Sequence, residues 1–326
     1  MAGGNLTRKT TVFAALETTQ GTPVGSFPAA GDAVLVFGDG AGVFTPEVAL
    51  IDLQPLRDSL TPSKQIKGKQ TARVALQTCL MSRNAVGAPA PFFGPLLQAC
   101  GASLTGSAPT SSSAATYAPV DSAFKSISVA VYADGIKHLV VGAMGNYNLQ
   151  MTAGQAPQLN FDLQGVLSAV TAAATPTATF PSDTKVIVGS ETLTITPLGG
   201  SAYTPVVRSV QIASGNTVSE RNDANQTVGF AGYSITARAA TCNVVIECDT
   251  ALAFDPINDL LATKTHAVTF NHKTGVQSEV IFTAPTAELT GVTYADDGGF
   301  RTYNLAYRLQ HASAAQEWSL AFKEKQ

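Results

Sequence analysis

The chain carries one ordered set of predicted elements twice, over residues 44–165 and again over residues 203–310. Each copy opens with an aromatic residue followed by Thr-Pro and continues through a strand, a polar loop and an alternating strand that ends in cysteine. A short apolar helix and a series of strands complete each copy. A unit repeated once within a chain often indicates an assembly that needs more copies than one chain supplies. The repeat therefore favours a self-assembling protein over an enzyme.

Matching landmarks align the two copies. The opening motif, the cysteine strand and the helix lie at Phe44-Thr45-Pro46, 72–79 and 91–100 in the first copy, and at Tyr203-Thr204-Pro205, 240–248 and 254–262 in the second. The sequence between the copies is rich in Ala, Thr and Pro, which is typical of an extended spacer. The predicted organisation is an N-terminal arm at 1–30, a first domain at 31–168, a linker at 169–185 and a second domain at 186–326.

Composition indicates an all-β fold with minor helix. The chain has 28 Gly and 17 Pro among 326 residues, and its predicted helices are short. Asp134-Gly135 predicts a type I′ hairpin turn, Asp255-Pro256 predicts a capped helix start, and Gly101 predicts a helix end. Charged residues make up 13% of the chain, against about 25% in a typical soluble domain. This deficit favours a surface covered by neighbouring copies.

Charge and hydropathy exclude other classes. A formal charge of −3 and a pI near 5.8 leave no basic stripe to neutralise phosphates, so tight nucleic-acid binding is not predicted. A neutral or acidic wall that lets DNA slide past is compatible with these values. The first ten residues lack the apolar core of a signal peptide, and no apolar run approaches 18 residues. We therefore expect a protein that folds in the cytoplasm and does not bind membranes.

Two polar loops stand out as functional candidates. Residues 53–70 form a long stretch without hydrophobic periodicity, and such stretches inside compact domains are usually functional. The second copy has a polar loop at residues 215–231. The charged candidates in these loops are Arg57, Asp58, Lys64, Lys67 and Lys69 in the first, and Glu220, Arg221 and Asp223 in the second.

The residues predict no catalytic, cofactor or metal site. The sequence contains no P-loop, G-x-S-x-G or H-E-x-x-H motif. His266 and His272 are six residues apart and lack a cysteine or carboxylate cluster at zinc-like spacing. Asp296-Asp297-Gly298-Gly299 lacks the ligand pattern of a calcium loop and predicts a hairpin turn. The cysteines are predicted to be buried small side chains: Cys79, Cys100, Cys242 and Cys248.

Four segments carry a resemblance to a known family. They are Ala15 to Pro23, Phe93 to Gly101 followed by Tyr117-Ala118-Pro119, residues 126–165 with the Asp-Gly hairpin, and Gly215 through Arg221 to the second cysteine strand. The chain resembles the major tail proteins, or tail tube proteins, of long-tailed bacteriophages with flexible, non-contractile tails. It is similar to the long members of this family, which have a duplicated tail-tube domain.

The resemblance implies two tandem tail-tube-type domains, each a β-sandwich or half-open barrel with one short flanking helix. Six domains form a ring, so three chains complete a pseudo-hexameric ring, and rings stack into a tube. The polar loops reach the adjacent ring, which makes their charged residues inter-ring contact candidates. The implied partners are further copies of the chain, the tape-measure protein, genomic DNA that passes without specific binding, and the tail terminator and tail-tip proteins. The implied location is the virion tail, assembled in the host bacterial cytoplasm.

Other functions remain open. A head–tail connector or tail terminator would form single rings that never stack. A carbohydrate-binding β-sandwich adhesin would need an aromatic platform, yet aromatic residues make up 7% of the chain and Trp318 is the sole tryptophan. An enzyme is the weakest class, because no acid–base pair stands out.

Overall fold

The computed structural model describes most of the chain: residues 6–38, 40–54, 56, 61–81, 90–106, 114–180, 188–189, 191–226, 229–249, 254–273, 278–312 and 316–324. These residues form an all-β protein with two short α-helices, as the sequence predicted. The first unit comprises helix α1 (Gly94–Ala99) and the strands β1 (Thr10–Leu16), β2 (Ala33–Val34), β3 (Phe44–Ile51), β4 (Ile66–Cys79), β5 (Ala102–Thr105), β6 (Ala114–Pro119), β7 (Ile127–Ala133), β8 (Ile136–Thr152) and β9 (Gln158–Ala172).

The second unit has the same kinds of element. It comprises helix α2 (Pro256–Leu261) and the strands β10 (Thr192–Pro197), β11 (Val207–Ala213), β12 (Asn216–Asn222), β13 (Phe230–Arg238), β14 (Thr241–Glu247), β15 (Thr265–Lys273), β16 (Ser278–Asp297), β17 (Phe300–Leu309) and β18 (Ser319–Glu324). A single 3-10 turn, Ala30–Asp32, precedes β2.

Local signals in the sequence explain several element boundaries. Asp134 and Gly135 have φ angles of 42° and 93° between β7 and β8, which confirms the type I′ turn. The Asp255 carboxylate accepts a hydrogen bond from the Asn258 backbone N–H at 3.1 Å, and α2 starts at the following proline. Gly101, with φ at 80°, follows α1 in the left-handed conformation that ends many helices.

An antiparallel ribbon of eight strands runs through both units in the order β3-β4-β9-β8-β11-β14-β17-β16. Four strands come from each unit, and the β8–β11 pairing joins the units. Each unit has two further strands beside the ribbon: β7 pairs with β8 and carries β1, and β15 pairs with β16 and carries β10. The repeat seen in the sequence is therefore a repeat of strand pairing.

The register shows which positions are equivalent. Val74 of β4 lies opposite Leu163 of β9, and Val244 of β14 lies opposite Leu305 of β17. The aromatic-Thr-Pro motifs, in contrast, are not equivalent. Phe44 lies within β3 opposite Val74, whereas Tyr203 lies before β11, bridges to β10 and stacks on Phe254. The predicted correspondence of these motifs is wrong because a short motif does not fix a strand register.

Aromatic packing makes a second junction between the units. Strand β18 pairs with β16 on one side and with β6 of the first unit on the other. Phe322 on β18 makes edge contacts with Phe93 and Tyr117, with ring centroids 5.8 Å and 5.7 Å away, and Trp318 lies 5.5 Å from Tyr147. Buried side chains of both units thus form one large cluster, and the division into two domains stays a prediction.

Two segments that were predicted to lie outside the domains form parts of the main sheet. Residues 10–16 of the predicted N-terminal arm form β1, which pairs along its whole length with β7 and fully buries Phe13. Residues 169–172 of the predicted linker belong to β9 and pair with β8. The buried Glu17 carboxylate secures the first segment, because it accepts hydrogen bonds at 2.7–2.8 Å from Ser126, Ser128 and two backbone N–H groups.

Candidate self-assembly interface

The end of the first predicted polar loop, residues 66–70, is the start of β4 and forms a β-hairpin with β3. Among the described strands, these residues pair only with β3, with Ile66 opposite Ile51 and Gln70 opposite Val48, and pairing with β9 starts at Thr71. We call residues 48–56 and 61–70 the first hairpin. The two strands of this hairpin continue beyond the point where β4 pairs with β9. The edge of β3 is unpaired among the described strands.

The first hairpin exposes apolar side chains. Six apolar residues of this hairpin each expose at least 42% of their surface: Val48, Leu50, Ile51, Leu53, Leu56 and Ile66. Leu56 is fully exposed. Large exposed apolar surfaces are uncommon on soluble monomers and often mark binding sites. The sequence did not predict this surface, because the apolar residues of the segment lie among charged ones and show no hydrophobic periodicity.

The second predicted polar loop is also a β-hairpin. Strands β12 and β13 form a separate two-stranded sheet, with Asn216 opposite Arg238 and Asn222 opposite Phe230. We call residues 216–238 the second hairpin. Neither strand was predicted, because charged and hydroxyl side chains hide the alternation of β12, and β13 shows its buried face only at Phe230, Tyr233 and Ile235.

The second hairpin lies on the first unit, against β8 and β9. The Asn216 side-chain amide donates to the backbone oxygens of Cys100 and Gly145 at 2.8 Å and 2.9 Å. The Gln20 side-chain amide donates to the Tyr233 backbone oxygen at 2.7 Å. Arg238 forms an ion pair with Glu317 at 2.8 Å. These contacts anchor the second hairpin within its own chain.

The structure brings two of the predicted site residues together. Lys69 of the first hairpin contacts both carboxylate oxygens of Glu220 in the second, and its ammonium group lies 5.9 Å from the centre of the Phe230 ring. Both charged side chains are more than one-third exposed, so the pair contributes at most about 1 kcal/mol. Its main effect is to fix the base of one hairpin beside the other.

The other predicted residues lie apart from this pair. Lys64 and Lys67 are exposed on the first hairpin, and Arg221 is exposed on the second. Asp223 is half-buried in the turn after β12, where its carboxylate accepts from the Asn225 N–H at 2.9 Å. The remaining two candidates, Arg57 and Asp58, lie outside the described residues. Contact of any of these residues with another ring stays a prediction.

The ribbon has one polar face, which we call the open face. Strand pairing places its side chains in rows, with Gln77 opposite Asn160 and Asn160 opposite Asn148 in the first unit, and Gln211 opposite Asn243 in the second. A groove of about 760 Å³ runs along this face where the units join. Its lining is mainly amide and small side chains, so the open face offers neutral hydrogen-bonding groups.

Two arginines on the open face lie beside carboxylates. Arg73 forms two hydrogen bonds of 2.6 Å with Asp162, and the carboxylate of Asp162 raises the pKa of the guanidinium. Arg208 lies 2.6 Å from Glu247. Within the described ranges, no group of three or more His, Cys, Asp or Glu side chains could hold a metal ion. No helix in the described part of the chain is both long and apolar enough to cross a membrane.

Comparison with known proteins agrees with the geometry. A family model described as phage tail tube protein matches residues 7–307, which include both hairpins and all of the eight-stranded ribbon except the last two residues of β17. No curated protein matches the chain. The match extends over more than nine-tenths of the 326 residues, and it confirms the resemblance carried by the four sequence segments. The chain therefore belongs to the phage tail tube protein family.

Proposed function

We propose that three copies of this chain close into one ring of the tail tube and that rings stack through the first hairpin. The observation that carries the proposal is the exposed apolar cluster of that hairpin. Burial of one leucine side chain stabilises a contact by about 1.5–3 kcal/mol, so the cluster favours binding to another copy. The two equivalent units of the chain support a ring with pseudo-sixfold symmetry.

The charged candidates fit the rim of this stacking contact. Lys64 and Lys67 lie on the same hairpin as the apolar cluster, and Arg221 is exposed on the neighbouring hairpin. Rim charges of this kind contribute orientation and association rate more than affinity. Arg57, Asp58 and Asp223 belong to the same proposed contact, while Lys69 and Glu220 hold the two hairpins side by side.

The open face suits the lumen of a conduit for DNA. Duplex DNA carries one negative charge per about 1.7 Å of its axis, so a basic wall would hold it. The amide rows and the Arg73–Asp162 pair instead present a wall without unpaired positive charge at these positions. We propose that genomic DNA passes along this face without specific binding, on its way into the host.

Other partners follow from the position in a tail. The tube contains the tape-measure protein before DNA passes, and its two ends bind the terminator and the tail-tip proteins. Assembly takes place in the host bacterial cytoplasm. These partners are proposed from membership of the family, whereas the passage of DNA through the lumen is also proposed from the polar side chains of the open face.

Negative-stain microscopy of the purified full chain, with its mass measured by light scattering, tests the proposed function. Trimers, rings and stacked tubes are expected as concentration rises. Single rings that never stack would favour a connector or terminator instead. A monomer at every concentration, without rings or tubes, would contradict the proposal, and binding to a glycan array would favour an adhesin.

A further inference from the structure

We propose that residues 259–264, which end α2 and lead into β15, form a pH-sensitive latch. Protonation of the buried His266 releases the latch from β15 and β17, while the eight-stranded ribbon stays folded. The inference goes beyond the proposed function, because it concerns a property of the single chain. It holds or fails whether or not rings form.

Helix α2 is attached less firmly than α1. Five of the six residues of α1 are buried, including both of its leucines. In α2 only Pro256 and Asp259 are buried, and neither of its two leucines is. A carboxylate, rather than a pair of apolar side chains, is therefore the buried contact of the C-terminal half of α2.

A chain of hydrogen bonds makes this contact. The Asp259 carboxylate lies 3.3 Å from Nε2 of His266 and 2.6 Å from the ammonium group of Lys264. The other ring nitrogen of His266, Nδ1, lies 3.1 Å from the Tyr307 hydroxyl. The His266 side chain is fully buried, whereas that of Lys264 is half-exposed. One imidazole thus links the latch to β15 and β17.

The arrangement suits a neutral imidazole. A neutral ring has one N–H and one acceptor nitrogen, so Nε2–H donates to Asp259 while Nδ1 accepts from the Tyr307 hydroxyl. A second proton, on Nδ1, would remove the acceptor of that hydroxyl and place a charge away from water. Burial lowers the pKa of His266 and outweighs the opposite effect of the Asp259 carboxylate. Acid therefore favours a form in which the imidazole reaches water.

The charged and titratable groups around His266 belong to three elements of the described chain. Asp259 and Lys264 lie in the latch, and Tyr307 lies on β17. Cys242 of β14 lies opposite Tyr307, and burial raises the pKa of its thiol to about 12. Strands β10 and β16 place residues that do not titrate opposite His266, namely Pro197 and Ala287. Of these types of group, imidazole is the one that ordinarily titrates between pH 5 and 8.

Backbone strain favours opening of the latch. Thr263 has φ at 51°. Its N–H donates to the Leu260 oxygen at 3.1 Å, and the Lys264 N–H donates to the Asp259 oxygen at 3.0 Å. Helix ends of this kind usually have glycine at the left-handed position, as α1 has at Gly101. A β-branched residue in this conformation is strained, and release of the latch removes that strain.

Hydrogen exchange of the natural full chain at pH 7.5 and pH 5.5 tests the latch, with each rate divided by the intrinsic rate of an unprotected amide at that pH. The closed latch is fully stabilised above the ordinary histidine pKa of about 6.5 and loses a factor of ten for each pH unit below it. Amides of residues 262–264 should therefore lose about tenfold in protection at pH 5.5. Amides of β14 should keep theirs.

Two variants of the full chain identify the responsible group. His266→Gln can donate to Asp259 and accept from Tyr307 without titrating, so its latch should be equally protected at both pH values. His272→Gln is the matched control, because His272 is also buried and lies on the same strand. It should retain the tenfold change.

Tyr307→Phe supplies a second test that stands if His266→Gln does not fold. It should give a smaller change than the natural chain, because Nδ1 of His266 then binds a proton without displacing a hydroxyl. Equal protection of the natural latch at both pH values would overturn the inference. A tenfold loss that persists in His266→Gln, is undiminished in Tyr307→Phe, or extends equally to β14 would also overturn it. None of these results depends on ring formation, so the proposed function is tested separately.

Discussion

The two hairpins occupy similar places in the two units but have opposite surroundings. The first continues directly from β3 and β4, exposes a cluster of apolar side chains and contacts the rest of the chain mainly at its base. The second is polar toward its turn and lies against the first unit through Asn216, Tyr233 and Arg238. One hairpin is anchored within its own chain, and the other keeps its apolar surface exposed.

A glycine lies where the second hairpin leaves the ribbon. Gly215 has φ at 60°, and a Cβ atom there would lie 2.1 Å from the Ala239 oxygen. The strand structure is interrupted here between β11 and β12, and again between β13 and β14. In the first unit β4 runs unbroken through the positions that correspond to the break between β13 and β14. The comparison shows how two related units can present different surfaces.

The largest effect is expected from polar substitution of the first hairpin. Leu50→Thr, Leu53→Ser and Leu56→Ser together should abolish stacking, because each leucine contributes about 1.5–3 kcal/mol when buried. The fold should be unchanged, since all three side chains are exposed. Tube length by microscopy and melting temperature are the measurements.

A matched triple variant in the second hairpin sharpens this result. Asn222→Ser, Asn225→Ser and Gln226→Ser also replace exposed residues and should leave stacked tubes intact. Equal loss of tubes in both variants would show that the hairpins make equivalent contacts between rings, contrary to the proposed difference.

The next effect concerns the bend of the second hairpin. Gly215→Ala should reduce the free energy of unfolding by at least about 2 kcal/mol, since alanine disfavours the left-handed conformation and its Cβ meets backbone. Gly25→Ala is the control, because no atom lies within 4 Å of a Cβ there. Urea unfolding of both variants measures the difference. A similar midpoint for the two would mean that the bend does not depend on this glycine.

The smallest effect belongs to the ion pair between the hairpins. A double-mutant cycle with Lys69→Ala and Glu220→Ala should give a coupling energy of about 0.2–1 kcal/mol that decreases at high salt. Unfolding of the four proteins at low and high salt measures it. A coupling far above this range, or one insensitive to salt, would indicate a pair more shielded from solvent than its exposure implies.

Local chemistry made part of the fold predictable. The Asp134-Gly135 turn and the Asp255 cap follow from backbone and hydrogen-bonding preferences of single residues, so a short window of sequence suffices. The strands with a buried face, such as β9 with Leu159, Phe161 and Leu163, follow from alternation. These features hold wherever the segment lies in the protein.

Contacts between distant segments were not predictable in the same way. The two hairpins lack a regular apolar face, and their pairing is visible only in the register of β12 with β13 and of β3 with β4. Strand β1 appeared to be an arm because its partner β7 lies more than 100 residues later. Of the candidate interface, the sequence pointed to the two polar segments and their charged residues as candidates, whereas the exposed apolar side chains became visible only from the structure.

Hydrogen exchange of the assembled tube against the unassembled chain tests the contrast between the hairpins most directly. The account predicts that amides of residues 48–56 and 61–70 become strongly protected in tubes, because another copy covers them. Amides of residues 216–238 should exchange at nearly the same rate in both forms. Unchanged exchange in the first hairpin, or new protection confined to the second, would contradict the account.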